Sequence, residues 1–181
     1  MIRSALFALG FLLWALPQAA RADCPAGVWQ ETVDSVRHFT EQSAFPGPSQ
    51  THYISGGRLL RLNSDHTGSF TYQDVVSETR STPEFWLHQT KTGGTHFTWR
   101  VVNGMLLTVL QPGDNLLTLH NEQHTATGVI AETRRAGAQS IGHNFSCDAR
   151  GLHLTQHNLP PSPIPGVPRI SVDMDFVPAA H

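Results

Sequence analysis

Hydrophobic and polar residues alternate in short runs along most of this chain, which is the pattern of half-buried β-strands. The clearest run is Arg169 to Val177, because every second residue from Ile170 to Phe176 is apolar and the residues between them are Ser and Asp. Another run, Thr95 to Val102, is followed by Asn103-Gly104, a pair that favours a two-residue hairpin turn, and the chain returns through Met105 to Leu110. These runs predict antiparallel strands joined by tight turns.

The segment Gly57 to Tyr72 predicts the hairpin around which the sheet is organised. Two alternating runs, Arg58 to Leu62 and Ser69 to Tyr72, flank the turn-forming residues Asn-Ser-Asp-His-Thr-Gly. The glycine that ends this cluster, Gly68, can adopt a positive φ without steric cost, whereas a positive φ at His66 would be slightly strained.

Three stretches are patterned less clearly. Residues 29–39 suit either a short helix or an opening strand. Residues 73–94 are polar, and within them only Phe85 to Leu87 predicts a short strand. Asn121 to Gln123 predicts a turn that leads into a Thr-rich strand near Thr125 to Thr133.

Counted together, these segments predict an all-β fold, an antiparallel meander of about eight or nine short strands. A sheet that closes on itself has no exposed edges, and a barrel is the common way to achieve this. We therefore expect the meander to close into a barrel, with a β-sandwich as the alternative.

The N-terminal 22 residues have the organisation of a secretory signal peptide. Arg3 provides a positive charge, Ala5 to Leu16 is an apolar run of 12 residues, and Ala20-Arg21-Ala22 matches the cleavage pattern. A helix of that length is too short to cross a bilayer of roughly 30 Å, so we expect no membrane span. The sequence predicts cleavage near Ala22 and a secreted or periplasmic protein.

The remaining residues, 23–181, have the length of one domain. Residues 159–168 contain five prolines and predict an extended strap that leads into the last strand. Without Arg3 and Arg21 the chain has ten basic and fourteen acidic residues, a net charge of −4. Nucleic acid requires a basic patch, so we do not expect it as a partner.

The chain has two cysteines, Cys24 and Cys147. In an oxidising compartment an even pair is most simply one disulfide, which here would tie the mature N-terminus to a late strand. The sequence therefore predicts a Cys24–Cys147 bond.

Three short motifs stand out: Gly27-Val28-Trp29, the hairpin from Leu60 to Phe70, and Trp99 to Leu106. They resemble motifs of bacterial secreted lipocalin-like domains, which are small calycin-type β-barrels. Gly27-Val28-Trp29 is similar to the G-x-W that opens such barrels. The hairpin from Leu60 to Phe70 resembles the L-x-L…D-G-T-G-x-F pattern, although His66 stands where that pattern has glycine. Trp99 to Leu106 resembles the W-x-x-x-x-G-x-L hairpin that follows. The resemblance implies a small closed barrel and leaves its ligand open.

Two groups of side chains are candidates for a site. The aromatic residues Phe70, Tyr72, Trp86 and Trp99 either line a ligand cavity or fill a solid core. His120 and His124 are candidate metal ligands, since the predicted turn between them would bring the two imidazoles together. No nucleophile elbow, phosphate-binding loop or C-x-x-C motif is present, so we name no catalytic residue and expect no cofactor.

The sequence thus favours an exported, non-enzymatic binding module with two possible modes of action. It would hold a small apolar ligand in the barrel or dock a protein partner on its surface. The alternative is a hydrolase or metal-dependent enzyme whose site is assembled from scattered His and Asp residues.

Overall fold

A computed structural model describes residues 26–42, 49–110, 113–137, 140–148, 150–156 and 171–180. The predicted signal peptide (residues 1–22) and proline strap (residues 159–168) lie outside these ranges. These described residues form ten strands and one helix: β1 (Gly27–Glu31), α1 (Val33–Gln42), β2 (Gln50–Leu62), β3 (Thr67–Thr82), β4 (Phe85–Val102), β5 (Met105–Val109), β6 (Thr118–Thr125), β7 (Gly128–Arg135), β8 (Ile141–Asp148), β9 (Gly151–Gln156) and β10 (Val172–Pro178). Within the described residues, no helix is long and apolar enough to cross a membrane.

Eight strands close into an antiparallel barrel in the order β3-β2-β1-β10-β9-β8-β5-β4. Pairing between β3 and β4 completes the ring, which leaves no open edge around it. The prediction of an all-β meander that closes into a barrel is confirmed, and the sandwich alternative is not the fold observed.

Three strands are longer than the barrel and continue into a second sheet. In this sheet, the second half of β3 pairs with the first half of β2 on one side and with the first half of β4 on the other. Residues 86–92 of β4 also pair with β6. β7 lies at the outer edge of this sheet, paired with β6. We call these paired segments the extension sheet.

The extension sheet contains the stretches that the sequence described least well. Residues 73–94 are strand over nearly their whole length, so the expectation of a single short strand there is wrong. The turn predicted at Asn121 to Gln123 is also wrong, because these residues lie inside β6 and the chain reverses at residues 126–127. Most residues in both stretches are polar. Such segments can still form strands when a neighbouring strand satisfies their backbone groups.

The ambiguity at residues 29–39 resolves into a strand followed by a helix. Trp29 lies in β1, and α1 begins at Val33, directly after the strand ends. The helix packs on β2 and β10, and its Val36 is buried. We call the end of the barrel beside α1 the helix end.

The opposite end of the barrel, the turn end, carries the tight hairpins. Asn103 and Gly104 have φ values of 52° and 78°, which confirms the predicted two-residue turn. His66 has a φ of 66°, so this residue adopts the strained conformation that the sequence analysis considered. Trp29, Phe97 and Phe176 belong to the buried core of the barrel.

Gly68 is required for a reason different from the one predicted. It lies in β3 and does not have a positive φ, so the expectation of a backbone requirement is wrong. A Cβ atom there would overlap the Phe97 ring and lie 2.7 Å from the carbonyl oxygen of Arg61. Close approach of a neighbouring strand and an aromatic ring explains the glycine.

The predicted C-terminal strand completes the barrel. β10 pairs antiparallel with β1 on one side and with β9 on the other, which confirms its place at the seam. Val172, Met174 and Phe176 are buried, while Asp173 and Asp175 are exposed. The predicted start of this strand, residues 169 and 170, lies outside the described residues.

Candidate functional site

A cavity of about 480 Å³ lies inside the barrel toward the helix end. Most of its wall is apolar, since it is lined by aliphatic and aromatic side chains from α1 and from strands around the ring. Examples are Phe39, Leu60, Phe97, Leu110, Ile141 and Met174. Its volume falls within the range of roughly 300–1,000 Å³ that is typical of small-molecule pockets.

Arg58 provides the charge in this wall. It follows the same alternation as Leu60 and Leu62, so β2 directs all three side chains into the barrel. One Nη atom donates to Glu31 Oε1 in an ion pair whose side chains are almost wholly buried. The Ser35 hydroxyl donates to the same carboxylate oxygen at 2.6 Å, which ties α1 to the pair.

Aromatic rings surround the Arg58 guanidinium. Its central carbon lies 3.9 Å from the centroid of the Phe39 ring, 5.3 Å from that of Phe70 and 5.6 Å from that of Tyr72. Such cation–π contacts fix the plane of the guanidinium group and replace part of its lost hydration. Arg58 Nε nevertheless has no hydrogen-bond partner among the described residues.

A second cation, Lys91, lies in β4 near this group. Burial lowers the pKa of Lys91, and the positive charge of Arg58 lowers it further. Lys91 is half-buried, and within the described part of the chain it has no hydrogen bond or ion pair. In the described part of the barrel, two cations, Arg58 and Lys91, therefore lie near one buried carboxylate, that of Glu31.

His143 lies in β8, on the opposite wall of the barrel from Arg58. It is 8% exposed, and its Nδ1 atom has no partner among the described residues. Burial lowers the pKa of His143 to about 4, so the imidazole is neutral at physiological pH. It can donate or accept one hydrogen bond without adding charge to the cavity.

The depressed pKa of His143 predicts a loss of stability in mild acid. The unfolded chain takes up a proton near pH 6.5, whereas the folded chain does so only near pH 4, so stability falls as the pH decreases between these values. We expect this histidine to account for about 2 kcal/mol of lost unfolding free energy between pH 7 and pH 5. Urea denaturation at the two pH values measures the loss.

The variant His143→Gln should remove this part of the pH dependence. His96 is exposed on β4, so His96→Gln is the matched control and should retain the full loss. An unchanged difference between pH 7 and pH 5 in His143→Gln would contradict the assignment.

Of the four predicted aromatic residues, the structure places two at the cavity. Phe70 and Tyr72 line it, whereas Trp86 and Trp99 are not among the residues of its wall. Trp86 lies in the extension sheet and stacks on His124, with the ring centroids 3.5 Å apart. The Trp99 indole N–H donates to the carbonyl of Thr67 at 2.9 Å, and its ring contacts His66 edge-on.

The two candidate metal ligands, His120 and His124, lie on one strand. The predicted turn between them is wrong, because both residues belong to β6 and their side chains are on the same face of this strand. Four residues at 3.3 Å each separate them by about 13 Å, which is too far for both to bind one ion. His120 contacts Thr133 and Glu122, and His124 stacks on Trp86. Across the described residues, no group of three or more His, Cys, Asp or Glu side chains is arranged to hold a metal ion.

One of the two cysteines is described. Cys147 is half-buried near the end of β8 and packs against the barrel core. Cys24 lies outside the described residues, so the Cys24–Cys147 disulfide stays a prediction. The first residue of β1, Gly27, is at the turn end, as is the hairpin that follows Cys147.

Sequence reasoning did not select Arg58, Lys91 or His143. The signal was present for two of them. Arg58 follows the alternation of Leu60 and Leu62, and His143 follows that of Phe145 and Cys147. A polar residue at an inward position of a barrel strand marks either a buried ion pair or a ligand contact, and Arg58 has features of both.

In comparisons with known proteins, no protein family, no curated protein and no solved structure matches this chain.

Proposed function

We propose that this protein is an exported, non-enzymatic binding module that holds a small apolar ligand inside its barrel. The observation that carries the proposal is the cavity of about 480 Å³ with its mainly apolar wall. A ligand pocket typically combines such a wall with a few polar groups that fix orientation. Arg58, Tyr72 and His143 provide those groups here.

The resemblance to secreted lipocalin-like domains supports the same function. The G-x-W motif contributes Trp29 to the buried core, and the L-x-L hairpin contributes Leu60 to the cavity wall. Export follows from the signal-peptide pattern of residues 1–22. Kinship with lipocalin-like domains and a secreted or periplasmic location are part of the proposal.

Binding of N-phenylnaphthylamine, an uncharged probe whose fluorescence rises in apolar surroundings, tests the proposed function. We expect a saturable rise in fluorescence with one site per chain. Thr108 lines the cavity, whereas the adjacent Val109 is exposed on the outside of the same strand. Filling the cavity with Thr108→Phe should weaken binding at least about tenfold, because the probe then competes with a ring for the same volume.

The matched control is Val109→Phe, which adds the same side chain to the outer face of β5. This variant should bind the probe like the unmodified protein. Equal binding by both variants, or no saturable binding by the unmodified protein, would contradict a ligand site in the barrel.

The second candidate function, docking of a protein partner, is favoured by one feature of the surface. Every residue of β7 is exposed, and Val129 and Ile130 are 56% and 61% exposed. The outer edge of β7 has no strand partner among the described residues. An extended segment of another protein can add to such an edge. This function would gain support if the barrel did not bind the probe.

A further inference from the structure

We propose that the ligand is an amphipathic carboxylate, with its anionic head at Arg58 and its apolar body in the barrel. This inference rests on the proposed function and specifies the chemical class of the ligand. The first argument is the charge of the wall. Among the described residues that line the cavity, Arg58 is the one charged side chain, and none is a carboxylate that would repel an anion.

The second argument is the unused donor capacity of Arg58. A guanidinium group has five N–H donors; one Nη of Arg58 donates to Glu31, and Nε has no partner among the described residues. The side chain is 1% exposed, so a ligand head can reach it only when one of the rings that cover it, those of Phe39, Phe70 and Tyr72, turns aside. A ligand carboxylate offers two oxygens whose geometry matches the guanidinium fork.

The third argument is the local excess of positive charge. Glu31 balances one of the two cations, and Lys91 has no hydrogen bond or ion pair with any residue that the structure describes. An anion bound beside Arg58 would bring the summed charge of Arg58, Lys91, Glu31 and the ligand to zero. Because Lys91 is half-buried, an anion nearby would compensate a charge that has limited access to water.

The remaining wall fits an apolar body. From Arg58 the cavity extends past Leu60 and Met174 toward the opposite side of the barrel, where His143 lies. Because His143 is neutral, it does not compete with Arg58 for an anionic head. The head is thereby directed to one side of the cavity and the apolar chain to the other.

Competition against bound N-phenylnaphthylamine separates charge recognition from apolar binding. The competitors are decanoate, decanol and decylamine, at neutral pH and below the concentrations at which they form micelles. All three have the same chain, so differences among them report the head group. We expect decanoate to displace the probe at a concentration at least about tenfold lower than decanol, and decylamine to be the weakest.

A double variant, Glu31→Gln with Arg58→Met, tests the residue assignment while avoiding an unpaired buried carboxylate. It should lose the preference for decanoate, so that decanoate and decanol displace the probe at similar concentrations. Lys91→Met, which keeps the ion pair intact, should reduce the preference by a smaller factor. Arg61 is on the same strand and exposed, so Arg61→Met is the matched control and should retain the preference.

The outcomes distinguish this inference from the proposed function. If decanoate and decanol displace the probe equally from the unmodified protein, the barrel binds apolar ligands and the carboxylate assignment is wrong. A preference for decanoate that is retained in the double variant would also overturn it. If the probe and all three competitors fail to bind, the proposed function and this inference are overturned together.

Discussion

Ending the chain after Leu159 is expected to open the barrel and leave an aggregation-prone protein. β10 would be lost, and with it the buried side chains of Val172, Met174 and Phe176. Burial of three such side chains contributes roughly 5–9 kcal/mol by transfer free energies, before the entropy of ordering is subtracted. This is comparable to the whole net stability of a typical domain, about 5–15 kcal/mol.

Loss of β10 would also leave two strand edges without partners. β1 and β9 each pair with β10, so both would expose backbone N–H and C=O groups. Size-exclusion chromatography and thermal unfolding of the truncated chain measure the effect. A stop after Ala179 keeps β10 whole and is the matched control. A truncated protein that stays monomeric with an unchanged melting temperature would show that β10 is dispensable.

The second large effect is expected at the buried ion pair. Arg58→Met would leave the Glu31 carboxylate with the Ser35 hydroxyl as its remaining side-chain partner, in a position sealed from water. Removing one partner of a buried pair typically costs about 3–5 kcal/mol. The double variant Glu31→Gln with Arg58→Met should recover most of this loss, because no uncompensated charge remains. Chemical denaturation of the single and double variants measures both values.

An exposed ion pair provides the control for the same substitution. Arg80 contacts Glu78 on the surface of the extension sheet, and its side chain is 58% exposed. Arg80→Met should change the unfolding free energy by less than about 1 kcal/mol, as is usual for surface pairs. A similar small loss for Arg58→Met would mean that the buried pair is not needed for the fold. If the double variant were less stable than Arg58→Met alone, the unpaired Glu31 charge would not be the cause of the loss of stability.

The hydrophobic pattern was sufficient to predict the barrel strands that have one buried and one exposed face. β10 and the second half of β4 alternate apolar with polar residues, and Asn103-Gly104 identifies the hairpin after β4. The extension sheet has no such contrast. In residues 118–125 of β6, most side chains are polar on both faces of the strand. The sequence therefore shows no alternation of apolar and polar residues that would indicate a strand.

The candidate site was predicted only in part because its chemistry depends on pairs that are distant in sequence. Phe70 and Tyr72 were selected as aromatic residues together with Trp86 and Trp99, which do not line the cavity. The Arg58–Glu31 pair joins two strands 27 residues apart, and His143 meets Arg58 across the cavity only after the ring has closed. Local patterns predict which face a residue occupies and contain no information about what lies on the opposite wall.

The seam between β1 and β10 has a consequence for the order in which the molecule folds. The hairpins from β2 to β4 join neighbouring segments, whereas Ser35 and Asp175, which are hydrogen-bonded at the seam, lie 140 residues apart. The entropic cost of closing a loop rises with its length, so contacts between neighbouring segments form sooner than the seam. We therefore expect ring closure to be a late step, with β2 to β4 already paired. During synthesis on the ribosome, β10, the second strand that pairs with β1, becomes available only after nearly the whole chain has been made.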